Sequence, residues 1–215
     1  MAARPWIVCG FFTPDYRPWA ERLIASLDAH GAPYDIIERP KLRGGWEANT
    51  MAKAGAVLGA MDRHPDKVVI FLDVDCEVRG DLAPLALLSA DVAFYVRARR
   101  RRGGGMRFGV RSGTLVLKPT AAARRFVEAW AAASAAAEHG DVDQTTLMLA
   151  IGRVPGVSFE PLDAKWCATA GDNVAEPAIL HDQASRDVPK VTGLQRIVQR
   201  LWRGGRAPIG APCAS

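Results

Sequence analysis

Apolar and polar positions along this chain switch between strand-like runs and helix-like spacing. Residues 6–12 form a short apolar run with β-compatible Ile7, Val8 and Phe11, ending at the loop signals Thr13, Pro14 and Asp15. Trp19, Leu23, Ile24 and Leu27 then recur at helical spacing, Gly31 and Pro33 mark a stop, and residues 34–37 read as a second short strand. Strand, loop, helix, strand is the opening of an α/β unit. Trp46, Thr50, Met51, Ala54, Val57, Leu58 and Met61 predict one further helix with a buried face.

The strongest strand signal is residues 67–72, Lys-Val-Val-Ile-Phe-Leu. Continuous apolar character marks a central parallel strand covered on both sides. It runs straight into Asp73-Val74-Asp75-Cys76-Glu77, so carboxylates stand at a strand's C-terminal end, where open α/β sheets place ligands. Residues 91–96 predict the next strand. The arginine-rich segment that follows, broken by Gly103, Gly104 and Gly105, reads as a mobile or sharply turned loop. Residues 113–118 read as a strand stopped by Pro119. An alanine-rich helix over 120–137 carries Phe126, Val127 and Trp130, and a second helix over 141–151 has acids near its start. Beyond Pro155 the pattern weakens: 157–159 reads as a strand and 161–177 as mainly irregular. Leu194, Ile197, Val198 and Leu201 fit an amphipathic C-terminal helix.

At 215 residues, 49% hydrophobic and 24% charged, the chain is of globular composition and long enough for one domain with a sizeable core. No repeat or linker divides it. The expected organisation is a catalytic domain over 1–190 and a basic amphipathic segment over 191–215. The formal charge of +5 is uneven, with seven arginines and no acid from Arg97 to Arg111, and Lys190, Arg196, Arg200, Arg203 and Arg206 forming a second cluster. Such clusters suit a diphosphate, an anionic surface, nucleic acid or plain solvent. Cys9, Cys76, Cys167 and Cys213 form no CxxC pair and read as reduced structural thiols. With no long apolar run before Asp15, they predict a cytoplasmic location. The C-terminal stripe, with Trp202 at its margin, predicts peripheral contact with an anionic cytoplasmic membrane face, packing onto the catalytic domain being the simpler reading.

Alternate residues of an extended segment share a side, so Asp73 and Asp75 together suit a hard divalent cation that neutralises diphosphate oxygens. A bare DxD triplet also occurs at solvated strand ends. The accompanying segments carry more. VVIFLDVDCEVRGDLAPL, SGTLVLKPTAAARRFVEAW, DVDQTTLMLAI and ILHDQAS occur in that order. Together they resemble the nucleotide-diphospho-sugar transferases of the GT-A fold, particularly the retaining group related to glycogenin and bacterial lipooligosaccharide galactosyltransferases.

The resemblance implies an α/β, Rossmann-related single domain with a mixed, mainly parallel central sheet. It implies a glycosyltransferase using a nucleotide-diphosphate sugar, UDP-linked by family preference, and a carbohydrate or glycolipid acceptor, with retention of configuration. Asp73, Asp75 and His181 would hold the metal, Mn²⁺ being favoured by the histidine over Mg²⁺. Asp143 and Gln144 would orient the donor sugar or acceptor near the anomeric carbon, Gln144 stabilising positive character there. Ser112 and Gly113 would contact the donor, Lys53 its phosphates, and Phe11, Thr13 and Tyr16 its nucleoside. Structural readings stand beside these: Asp141 or Asp143 as a helix cap, His181 and Phe11 as packed residues, Lys53 as an exposed helical lysine. Trp46 and Asn49 would help close the donor side. The arginine segment would close over the donor or select an anionic acceptor. Asp163, Lys165 and Trp166 are acceptor-side candidates, Trp166 being equally suited to anchoring an irregular segment. The competing functions are a metal-dependent phosphohydrolase, against which stands the lack of a P-loop or full phosphohydrolase motif set, and a nucleic-acid-binding module, for which no sequence-reading motif is present.

Overall fold

The computed structural model describes residues 4–42, 45–137 and 141–182, with the side chains of 45–47 excepted. The boundary at 190, the C-terminal stripe, its arginines and Cys213 lie outside the described residues, as does the side chain of Trp46.

The all-apolar β3 (Val68–Leu72) is buried along its whole length. Strand alternation sends Val68, Ile70 and Leu72 into one core layer and Val69 and Phe71 into the other. Parallel to it runs β1 (Trp6–Phe12), and parallel to β1 runs β2 (Tyr34–Glu38). On the other side of β3 lies β6 (Met106–Leu117), antiparallel, followed by β5 (Val92–Arg100) and β7 (Phe159–Pro161). The six-stranded order is β2-β1-β3-β6-β5-β7, mixed and mainly parallel as expected, β6 alone running opposite to its neighbours. α1 (Arg17–Ala29) contributes Ala20, Leu23 and Leu27 to the first layer. α3 (Lys53–Arg63), α5 (Ala121–Ala135) and α6 (Asp143–Ile151) cover the second. A short α4 (Ala83–Ala86) packs with the first layer through Leu85 and Ala86.

Three local differences from the sequence reading matter. The helix expected across 46–61 is two, α2 (Gly45–Met51) and α3, with Ala52 between them. The strand expected over 157–159 is shifted to β7. The arginine-rich segment is a β-hairpin, because β6 begins at Met106 and pairs with β5 from Tyr95↔Arg111 to Arg100↔Met106. Gly104 (φ 90°) and Gly105 (φ 78°) take the left-handed backbone the turn needs, and the Arg101 amide donates to the Gly105 carbonyl at 3.1 Å.

α5 starts where Thr120, in extended conformation, accepts a hydrogen bond from the Ala123 amide. Its Trp130 is fully buried and donates through Nε1 to the Asp143 carbonyl (3.2 Å) and Thr146 Oγ1 (3.1 Å), fixing the first turn of α6. A second, three-stranded sheet, β4-β9-β8, is built from β4 (Cys76–Val78), β9 (Ile179–His181) and β8 (Ala168–Thr169). β4 leaves β3 through Asp73, Val74 and Asp75, so this small sheet is tied to the end of the central strand. Among the described residues no helix is long and apolar enough to cross a membrane, and Cys9, Cys76 and Cys167 are buried free thiols.

Candidate active site

Antiparallel pairing of β4 with β9 sets Cys76 directly opposite His181. That register returns a histidine from 105 residues downstream to the Asp73-Val74-Asp75 turn. Ligand atoms of Asp75, Cys76 and His181 all lie within 4.8 Å of one another. The His181 ring is buried, with Nδ1 3.1 Å from Cys76 Sγ and Nε2 3.1 Å from Thr114 Oγ1. Burial, then Lys53 and Arg111, push its pKa down to about 3, which keeps the imidazole neutral, the form that binds a metal. Burial holds the Cys76 thiol well above its usual value, and the charges of Asp75 and Asp73 add to this.

Asp73, at the same turn, is paired with Lys53. The Lys53 ammonium, 6% exposed, sits 2.8 Å from Asp73 Oδ1, 2.5 Å from Asp143 Oδ2 and 3.2 Å from Ser112 Oγ. Its three donors are thus matched by three acceptors. Ser112 Oγ in turn donates to Asp143 Oδ2 at 2.5 Å. Burial pulls the Lys53 pKa down, but Asp143 and then Asp73 outweigh it and hold the group above its ordinary value. Desolvation lifts Asp73 to about 6 against the attraction of Lys53, with Asp75 and Asp143 adding to the rise. Lys53 is therefore no exposed helical lysine: its charge is committed to two carboxylates, one at the end of β3 and one at the start of α6. Nor does Asp143 cap its helix. The N-cap position of α6 is Val142, without a side-chain cap, and the Asp143 carboxylate turns into the core.

Ser112, Gly113 and Thr114 sit where the β5–β6 register shifts, between the Phe94↔Leu115 and Tyr95↔Arg111 pairs. Such an irregularity re-aims consecutive side chains. Ser112 turns to Lys53 and Asp143. Thr114, which also donates to the Trp166 carbonyl at 2.7 Å, turns to His181. Gly113 allows both: a Cβ there would stand 2.5 Å from His181 Cε1 and 3.3 Å from Asp73 Oδ2. Gly113→Ala is expected to swing the His181 ring away and to cost about 1–3 kcal/mol. Urea unfolding, with the His181 ring followed by NMR, checks both effects.

The first loop contributes unequally. Tyr16 stacks obliquely on Trp19 (5.4 Å between centroids). Its hydroxyl is raised above the usual phenol value first by burial, then by the charges of Asp75, Asp15 and Asp73. Thr13 is buried and donates to Asp15 Oδ1 at 2.5 Å, and Lys41 pairs with the same carboxylate. Phe11 is half-buried against Phe71 (6.4 Å) with Arg39 over its ring, a packing role. Gln144 is exposed beside Asp143. Asn49 accepts from the Leu42 amide at 3.0 Å.

On the acceptor side, Trp166 is buried in the core and anchors its segment, with Lys165 over its ring. Asp163 caps the short turn Ala164–Trp166 through the Lys165 amide. The network that orders this region was not legible in the sequence. Arg111 donates to the Cys167 carbonyl (2.7 Å) and to both oxygens of Asp172 (2.6 and 3.1 Å), lies over Tyr95, and holds Asp172 far below the usual carboxylate range. Arg111 belonged to an arginine run read as one loop, so no signal separated it from its neighbours.

No family model matches the chain, and no curated protein matches it. Solved structures do. A glycosyltransferase involved in glycosylation of the major capsid of PBCV-1 is similar with a TM-score of 0.66 and 15% identity, over 85% of this chain and 97% of that one. Glycosyltransferase GlyE of Streptococcus pneumoniae TIGR4 is similar at 0.57 and 17% identity, over 92% of this chain and 60% of that one. The galactosyltransferase LgtC, in complex with donor and acceptor sugar analogues, is similar at 0.53 and 11% identity, over 94% and 98%. At these identities the likeness is one of fold: the chain has the GT-A-like fold of these glycosyltransferases.

Proposed function

We propose that this chain is a metal-dependent glycosyltransferase that moves a sugar, with retention, from a nucleotide-diphosphate donor, UDP-linked, to a carbohydrate or glycolipid acceptor. The observation that supports this most is the convergence of Asp73, Asp75 and a neutral His181 at the C-terminal end of β3. Two carboxylates and an imidazole are a donor set suited to Mn²⁺, and Mg²⁺ also fits the oxygens. A cation held by Asp73, Asp75 and His181 would supply positive charge to offset that of a departing nucleoside diphosphate.

The residues of the chain divide the remaining work. Lys53 and Asp143 hold Asp73 and Ser112 in place. Gly113 makes room for the His181 ring beside Asp73. Tyr16, whose hydroxyl feels the charge of Asp75, flanks the nucleoside side. Gln144, exposed one residue from the Asp143 anchor, orients the sugar and stabilises positive character at its anomeric carbon.

The test is a panel of sugar nucleotides and candidate acceptors, incubated with and without Mn²⁺, with free nucleoside diphosphate and product mass followed. Metal-dependent release of the diphosphate with sugar added to an acceptor is expected. Release of inorganic phosphate or sugar phosphate alone would overturn the reading. Gln144→Ala should keep the unfolding midpoint and donor KM but lower kcat about 10–100-fold, the worth of one hydrogen bond to a charged centre. Undiminished kcat at saturating substrates would remove Gln144 from the chemical step.

A further inference from the structure

The hairpin formed by the free ends of β5 and β6 has no function in the site just described. β7 pairs with β5 only at Val92–Phe94, and β3 with β6 only at Thr114–Leu117, so the two strands continue beyond their sheet neighbours. Cross-strand partners share a face. Val96↔Val110, Ala98↔Phe108 and Arg100↔Met106 make one face, and Tyr95↔Arg111, Arg97↔Gly109 and Arg99↔Arg107 make the other. Toward the tip the first is largely apolar and exposed, Phe108 at 61%, Met106 at 51% and Val96 at 37%, while Val110 at its base is buried in the core. The second is basic, and Arg101 and Arg102 add charge at the tip.

Among the described residues, Arg97 and Arg111 pair with Asp172, whereas Arg99, Arg100, Arg101, Arg102 and Arg107 have no acidic partner. Arg99 and Arg107 stand directly opposite each other, an arrangement that destabilises a strand pair unless an anion lies between them. A second copy of the hairpin could cover the apolar face but would leave the arginines without an anion. A nucleic-acid strand calls for a groove with stacking platforms, and here one phenylalanine sits among aliphatic side chains. An anionic lipid surface meets both faces at once, taking apolar side chains at the acyl boundary and arginines at the phosphates.

We propose that this hairpin is a docking element for anionic phospholipid membranes, with Val96, Met106 and Phe108 entering the interface and Arg99, Arg100, Arg101, Arg102 and Arg107 binding lipid phosphates. This docking role stands whether or not the chain transfers sugars.

Co-sedimentation of the full chain with phosphatidylglycerol-containing and pure phosphatidylcholine vesicles tests it. The wild-type chain should bind the anionic vesicles preferentially and weaken between 0.1 M and 0.5 M salt, as screening shortens. Arg101→Gln/Arg102→Gln/Arg107→Gln should weaken partitioning about 100-fold, at on the order of fivefold per arginine. Phe108→Ser should weaken it about tenfold or more. The corresponding triple Arg→Lys variant should keep most binding, which controls for folding together with unchanged unfolding midpoints. Failure of the wild-type chain to bind, equal binding to neutral vesicles, or hairpin variants that bind like wild type would each overturn the proposal. So would an RNA oligonucleotide bound more tightly than the vesicles, or a dimer abolished by Phe108→Ser in a chain that ignores lipid.

Discussion

Lys53→Met should lower stability by about 3–5 kcal/mol, the cost of taking one partner from a buried ion cluster. Methionine replaces most of the stem but leaves Asp73 and Asp143, each within 2.8 Å of the lost ammonium, without their cation. Urea unfolding at pH 7 and at pH 5 measures the effect. The loss should be smaller at the lower pH, where protonation relieves the carboxylates. Adding Asp143→Asn to Lys53→Met should recover more than 1 kcal/mol, because the two positions are in contact and cannot be additive. The wild-type contribution has its own pH window. The folded-state pKa of Lys53 lies above the reference 10.5, so the contribution is complete below that value and is lost only as pH rises through the folded one. A Lys53→Met variant with the wild-type midpoint would show that the cluster contributes nothing net.

Asp75→Asn carries the largest expected loss of activity. A group that only supports a metal ligand costs 10–100-fold when removed, so loss of a ligand carboxylate should lower metal-supported turnover on the order of 10³-fold. Asp75 is half-exposed, so its stability loss should be smaller than that of Lys53→Met. Asp73→Asn should also depress turnover, with an added stability loss because the Lys53 contact weakens. His181→Ala should act in the same direction. Wild-type turnover in both aspartate variants across a Mn²⁺ titration would refute the metal site.

The difference between those two aspartates shows what the sequence carried. The run ending at Leu72 announced a covered central strand, and alternation made Asp73 and Asp75 a plausible pair. The chain's own pattern had nothing to say about Lys53, because burial of its ammonium depends on carboxylates 20 and 90 residues away. His181 could be approached only by resemblance: its position follows from a three-residue pairing of β9 with β4, too short for any periodicity to show. Asp143 had two readings, a site residue by resemblance and a helix cap; its pairing with Lys53 and the hold of Trp130 on its carbonyl remove the cap. The alternation in Met106-Arg107-Phe108-Gly109-Val110-Arg111 was visible, and the three preceding glycines drew attention to a loop instead of a hairpin tip.

The register shift at Ser112–Thr114 also bears on how the molecule tolerates change. It separates two ladders on one strand: residues 114–117 paired with β3, and residues 106–111 paired with β5 alone and anchored at their inner end by Arg111 to Asp172. Length variation in the tip is therefore confined to the outer ladder. Added or removed in matched pairs, tip residues preserve which side chains face which way, and the small loop-closure cost grows slowly. If the hairpin docks as proposed, replacing its outer part should change where the chain settles while leaving the carboxylates and His181 where they are.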